Sequence, residues 1–217
     1  MNNTEINGIS PLSFPGKITI GLTGPIAGGK SLALSCFKKY GAYTVSADEV
    51  NKEILDSAEI FAIISSRYAG SPVIDGGRIN KKELAEIIFN FEKEKKWLED
   101  ILHPRILTKI FDLVKNTDKN LAVIELPLLF EAGLQNLFSL TMCIYVPDEK
   151  LYERAAIRGW TRQHFEKRCR GQFPLEKKCS MADLVIQNNS TQEIFEGKIR
   201  KICGLLTGPT CSGKAAL

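Results

Sequence analysis

The chain has 217 residues, 44% of them hydrophobic and 25% charged, with a formal net charge of +4. That is the make-up of one compact domain with room for an inserted subdomain, and it excludes a fibrous, low-complexity or helical membrane-spanning class, because Lys, Asp, Glu or Asn interrupts every long apolar run. The charge is too mild to argue for nucleic acid, and six cysteines without a Cys-x-x-Cys pair or a zinc-spaced histidine suit reduced thiols in a cytoplasm.

Residues 1–16 read as a loose polar leader, without the basic region and apolar core of a signal peptide. Lys17 to Thr23 is a β-branched apolar run ending in glycines, which predicts a buried strand. After the loop 24–30, Ser31 to Tyr40 predicts a helix stopped at Gly41, and Tyr43 to Ser46 a second strand, together one βαβ unit. Leu84, Ile87, Ile88 and Phe91 then recur at helical spacing, as do Leu98, Ile101 and Leu102. Pro104 is expected to break that run before Ile106, Leu107, Ile110, Phe111 and Val114 resume it, and no strand is expected before about Lys119. Strands return at Leu121 to Leu126, Leu140 to Val146 and Asp183 to Gln187. About five buried strands separated by helices are the pattern of an open parallel α/β sheet. Between the last two lies the stretch Lys150 to Lys178, where nine basic residues stand against three acidic ones, a candidate mobile lid for an anionic ligand.

The strongest chemical signal is Gly24-Pro25-Ile26-Ala27-Gly28-Gly29-Lys30-Ser31, which satisfies G-x-x-x-x-G-K-[ST] between a strand and a helix. Glycines let successive N–H groups turn inward onto phosphate oxygens, and the helix that follows adds its N-terminal dipole. In such a P-loop Lys30 reaches the outer phosphates of ATP and the Ser31 hydroxyl ligates Mg²⁺. Asp48, just past the second strand, reads equally as a base for an acceptor hydroxyl and as an acid opening a helix near Glu49. Arg154 and Arg158 lie four apart, one turn beyond Lys150. A basic helical stripe is more often a solvated face than a clamp on a transferring phosphoryl. Glu125 and Glu131 are either acids near the metal or loop acids, and His103 before Pro104 reads as structural.

These residues come in ordered blocks that resemble the dephospho-CoA kinase family from about Lys17 to Lys201. The blocks are Ile20 to Gly24 leading into the P-loop, Ser46-Ala47-Asp48, Leu84 to Phe89, Trp97 to Pro104, Pro127 to Glu131, Arg154 with Arg158, Gln172, and Ala182 to Asn188. The resemblance implies an α/β fold: a parallel five-stranded P-loop kinase sheet flanked by helices, with a helical substrate subdomain and a lid. On that pattern 17–203 is the kinase-like domain, with core 17–50, 119–149 and 179–203, a CoA-binding insertion 51–118 and the lid 150–178. It also implies the last step of coenzyme A synthesis, with ATP and Mg²⁺ as cofactors and dephospho-CoA as substrate. The catalytic residues are then Asp48, Lys30 and Arg154. Nucleotide contacts fall to Gly24, Ala27, Gly28, Gly29, Lys30, Ser31, Leu32 and Arg158, with Ser31 at the metal. A cytoplasmic monomer without membrane or nucleic-acid partners is expected.

The chain departs from the family pattern at Pro25, Leu32, Ser46 and Lys81, which leaves Lys30, Ser31 and Asp48 in place and allows for a slow enzyme. Residues 204–217 resemble the P-loop opening of tRNA dimethylallyltransferases, with Ala215 where a hydroxyl is usual, and read as a non-functional stub. The alternatives are another small-molecule P-loop kinase, or a catalytically weakened nucleotide-binding protein from a truncated fusion.

Overall fold

The structure, a computed structural model, describes Phe14 and residues 16–208. Most of the leader and residues 209–217, which hold the second P-loop-like motif, lie outside the described residues. In chain order the elements are β1 (Ile18–Thr23), α1 (Lys30–Lys39), β2 (Tyr43–Ser46), α2 (Ala47–Leu55), α3 (Ala58–Arg67), β3 (Ile74–Asp75), β4 (Arg78–Ile79), α4 (Lys81–Asn90) and α5 (Glu92–Asn116). They continue with β5 (Leu121–Glu125), a 3-10 turn (Gln135–Leu137), β6 (Leu140–Tyr145), α6 (Asp148–Ile157), α7 (Arg162–Cys169), α8 (Leu175–Met181), β7 (Leu184–Gln187) and α9 (Gln192–Thr207). The described residues form two compact units, one up to Ser46 and again from Val114, the other Ala47–Leu113.

The first unit is built on a parallel sheet in the order β2-β5-β1-β6-β7. β1 lies at its centre, and its apolar run is covered on both faces, as parallel strands flanked by helices must be. Gly21 faces Phe138, whose ring would lie 2.8 Å from an added Cβ, so only glycine lets that ring close on the strand. Ile20, Leu22, Phe37, Ile144, Phe195 and Ile199 are buried in one cluster that joins β1, β6, α1 and α9. Each contributes about 1.5–3 kcal/mol by leaving water. β2 and β7 are the edge strands, β2 only partly buried and β7 alternating with Ile186 buried and Val185 exposed, so the expectation of five buried strands fails at the edges. The start of β7 is pinned by Asp183, whose carboxylate accepts from the Thr141 N–H and hydroxyl, both at 2.7 Å. α9 continues through Thr207, so Leu205 to Thr207 is helix rather than loop.

The second unit packs α3, α4 and α5 around Ile60, Ile64, Val73, Leu84, Leu98 and Leu102. Two sequence expectations are corrected here. Strands were not expected, yet Ile74–Asp75 and Arg78–Ile79 form a small antiparallel hairpin around Gly76 and Gly77, both at positive φ. Two residues per strand are too few for any alternation to be read. Nor does Pro104 break the helix, since α5 runs through it for 25 residues. A proline removes one intrahelical donor and crowds the preceding turn. Here the carbonyl left without its donor is that of Asp100, an exposed residue where water can take the donor's place. Further along this unit Arg67 and Tyr68 both donate to Glu94, and the Arg67 guanidinium lies 4.4 Å from the Trp97 ring centroid.

Candidate active site

Because the five strands are parallel, Thr23, Ser46, Glu125, Tyr145 and Gln187 all end at one edge of the sheet, where open α/β folds bind their ligands. The P-loop springs from the central strand at that edge. Gly24 has a φ of 151°, and a Cβ there would fall 3.1 Å from the Ile144 side chain and carbonyl of β6. Ala27 adopts φ 62° and Gly29 φ 93°, while Gly28 between them does not have positive φ. That alternation of hand curls the backbone into a concave nest suited to an anion.

The nest opens onto a bare helix end. Gly29 caps α1 without a side-chain hydrogen bond, no acid occupies the first turn, and the first helical bond runs from the Ala33 N–H to the Gly29 carbonyl. The first turn of α1 therefore presents the positive end of the helix dipole to the nest. Lys30 is almost fully buried and donates to the Gly24 carbonyl at 3.2 Å and the Pro25 carbonyl at 3.0 Å. The Pro25 carbonyl also receives the Gly28 N–H at 3.0 Å, so Pro25 takes part in the loop through its oxygen. Ser31 is exposed at the helix start. The Leu32 side chain packs against the core, which leaves its backbone N–H as the part that can face a phosphate.

Arg154 reaches this loop from α6. One guanidinium nitrogen donates to the Asn188 carbonyl at 2.9 Å, and the other lies 3.5 Å from the carbonyls of Ala27 and Gly28. Burial, and then the neighbouring Arg158, push the Arg154 guanidinium below its ordinary range. An anion arriving at the loop relieves both costs. Arg158 ends α6 on the exposed side, with its guanidinium 5.9 Å from the Trp160 ring centroid. The structure thus brings Gly24, Ala27, Gly28, Gly29, Lys30, Ser31, Leu32 and Arg154 together, and leaves Arg158 near Arg154 but outside this set of bonds.

Asp48 is exposed as the second residue of α2, two residues past the end of β2. It belongs to the other unit. Glu125 is buried at the end of β5, opposite Leu22 and Ser46 in register. His103 is exposed on α5.

Two residues at this edge were not singled out from the sequence. Asn188 is buried, donates its side-chain amide to the Gly28 carbonyl at 2.9 Å and gives its own carbonyl to Arg154. Lys178, read only as part of a basic run, is buried and bonds the Pro127 carbonyl at 2.7 Å. Asn188 stands directly after the last strand, and a polar residue at that place in a parallel sheet was the available signal.

Comparison with known proteins agrees with this geometry. The family model for dephospho-CoA kinase matches residues 18–193. The dephospho-CoA kinase of Aquifex aeolicus is 32% identical over 190 residues, covering 87% of this chain and 97% of that protein. That of Geobacillus kaustophilus is 34% identical over 182 residues, covering 81% and 90%. Among solved structures, the dephospho-CoA kinase from Campylobacter jejuni aligns with a TM-score of 0.66 at 28% identity, covering 87% of this chain and 96% of its own. A Thermus thermophilus protein aligns at 0.79 with 26% identity, covering 88% and 99%.

Proposed function

The chain belongs to the dephospho-CoA kinase family, and from that premise we propose that it moves the γ-phosphoryl group of ATP onto the ribose 3′-hydroxyl of dephospho-CoA, giving coenzyme A and ADP. The observation that carries the chemistry is the phosphate cradle, a nest and an uncapped helix start with Lys30 and Arg154 already aimed at it. Both cations now bond neutral carbonyls. Exchanging those for phosphate oxygens converts ordinary hydrogen bonds into charge-assisted ones, which are roughly twice as strong.

Transfer needs three things from the chain. Backbone N–H groups of 29–32 hold the phosphates in line. Asp48 accepts the proton of the 3′-hydroxyl as that oxygen bonds the γ-phosphorus and the bond to the bridging oxygen of ADP breaks. Lys30 and Arg154 offset the charge that moves onto the leaving phosphate, in a site where burial makes that offset larger than it is in water. The exposed Ser31 hydroxyl, at the helix start beside these donors, fits an oxygen-preferring divalent cation, and Mg²⁺ held there would neutralise phosphate charge. A monomer in a reducing cytoplasm, acting on small molecules, completes the proposal. Among the described residues no helix is long and apolar enough to cross a membrane.

The test is ADP release from Mg-ATP with and without dephospho-CoA, beside Asp48→Asn. Turnover that depends on dephospho-CoA and collapses in the variant supports both the reaction and the role of Asp48. ATP binding without ADP formation would leave a nucleotide-binding protein, with Pro25, Leu32 and Ser46 as the places where activity was lost.

A further inference from the structure

Lys178 is the largest charged group in the deep interior of the sheet-bearing unit, with 1% of its side chain exposed. Its ammonium group meets three oxygens, two by hydrogen bond and the carboxylate as an ion pair, while the second carboxylate oxygen, Glu131 Oε2, is buried without a hydrogen bond. The three are the Pro127 carbonyl at 2.7 Å, Glu131 Oε1 at 2.9 Å and Gln172 Oε1 at 3.3 Å. Glu131, itself only 10% exposed, also accepts the Phe173 backbone N–H at 2.7 Å. The Pro127 carbonyl has a second donor, the Thr23 hydroxyl at 3.2 Å, and Thr23 is the residue from which the P-loop springs.

One ammonium group therefore ties three remote pieces of chain together. The return limb of the basic segment (Gln172, Phe173, Lys178) is bound to the loop after β5 (Pro127, Glu131), and through a shared carbonyl to the root of the P-loop. The same basic segment is tied at its other end by Arg154, which bonds the carbonyl of Asn188 and approaches those of Ala27 and Gly28. Residues 155–171 are strung between these two anchors. A buried ion pair is a poor device for stability alone, because an apolar pair of similar volume commonly does as well. Its asset is geometric, since it permits one arrangement of the groups it joins.

We propose that Lys178, paired with Glu131, is a positioning residue for phosphoryl transfer: it fixes the return limb of the lid to the P-loop root, so that the lid cations come back to one place over the phosphates. It touches neither nucleotide nor acceptor and acts through where Arg154 and Arg158 sit. The proposal rests on the kinase reading above and names a part that this reading does not contain.

The experiment compares the full chain with Lys178→Met and with Lys178→Met/Glu131→Gln. The single variant strands a buried carboxylate and serves as the folding control. The double variant leaves no uncompensated charge and keeps an oxygen for the Phe173 N–H. Each is melted, assayed with Mg-ATP and dephospho-CoA, and digested with trypsin, which cuts within the basic lid when it loosens. For the double variant the expected result is a near-normal melting point, faster lid cleavage, and kcat lower by about 10- to 100-fold. Its KM for dephospho-CoA is expected to stay within about twofold, since a lost transition-state contact lowers kcat without raising KM. A double variant that is stable, resists trypsin like the parent and turns over at the parent rate overturns the proposal and leaves the pair a packing feature. Should the parent chain show no turnover, the kinase reading falls instead, and the trypsin rate alone decides whether the anchor exists.

Discussion

Replacing Gly29 by alanine puts a methyl group where the protein already holds an amide. Gly29 has φ 93° and ψ 26°, a left-handed backbone that costs an ordinary L-residue roughly 1–2 kcal/mol. The added Cβ would also lie 2.3 Å from the Asn188 side-chain nitrogen, far inside contact distance. Asn188 is packed at 2% exposure and must move, which breaks its bond to the buried Gly28 carbonyl. That carbonyl would keep only the 3.5 Å approach of Arg154, and a buried acceptor that loses its short bond costs about 1–3 kcal/mol. Together the two effects predict a loss of about 2–5 kcal/mol, which for a chain of this size lowers the melting point by roughly 4–20 °C.

The clash also predicts coupling between the two positions. Asn188→Ala removes the obstructing amide, so it should cost less in the Gly29→Ala background than in the parent, by about 1 kcal/mol or more in a double-mutant cycle. Thermal or urea unfolding of the four proteins measures this, and ATP titration on the same samples reports whether the loop still binds. If Gly29→Ala melts with the parent, or if the two substitutions simply add, the left-handed turn and the Asn188 clamp are wrong as described.

Arg154→Ala should lower kcat by about 10²–10³, the usual loss when one preorganised donor to a charged transition state is removed, with stability little changed in the same melts. The second unit should show an acid-sensitive step. The Arg67 guanidinium, helped by the Tyr68 hydroxyl, holds the Glu94 carboxyl down at about 2 against an unfolded value near 4.5. Its contribution to stability is then fully present above the unfolded value and lost as pH falls through that window. Unfolding midpoints should drop on acidification below about pH 4.5, and Glu94→Gln should flatten that part of the curve. Burial, then nearby Cys179, push the Cys143 thiol far up. Iodoacetamide at mildly alkaline pH should spare Cys143 in the folded protein and modify it once urea unfolds the chain, as mass spectrometry would show.

Much of this protein is written locally. The run Ile18 to Thr23 is β-branched and apolar in a way that suits only a covered strand, and the spacing Gly24 to Ser31 places small residues where the backbone must turn left-handed. Strand, loop and helix could therefore be read within a residue or two of their observed ends. The βα alternation implied the parallel sheet, and the order of motif blocks pointed to the family. Pro104 was misread because the local rule against proline in a helix takes no account of where the orphaned carbonyl falls, here on Asp100, an exposed residue open to water. The hairpin Ile74 to Ile79 escaped because two-residue strands have no period.

The sequence by itself determined the phosphate cradle and the strands that carry it, since backbone conformation and burial pattern depend on residues close together along the chain. The family resemblance pointed to Arg154, but only the tertiary structure decided which bonds the distant groups make on that cradle. Asn188 bonds a glycine 160 residues earlier, Arg154 lies 126 residues from the same carbonyl, and Lys178 meets Pro127 across 51. No pattern along the chain marks such pairs. A lysine in a basic run and a lysine buried against a glutamate are spelled alike, and they part only when folding removes one of them from water and obliges it to find partners.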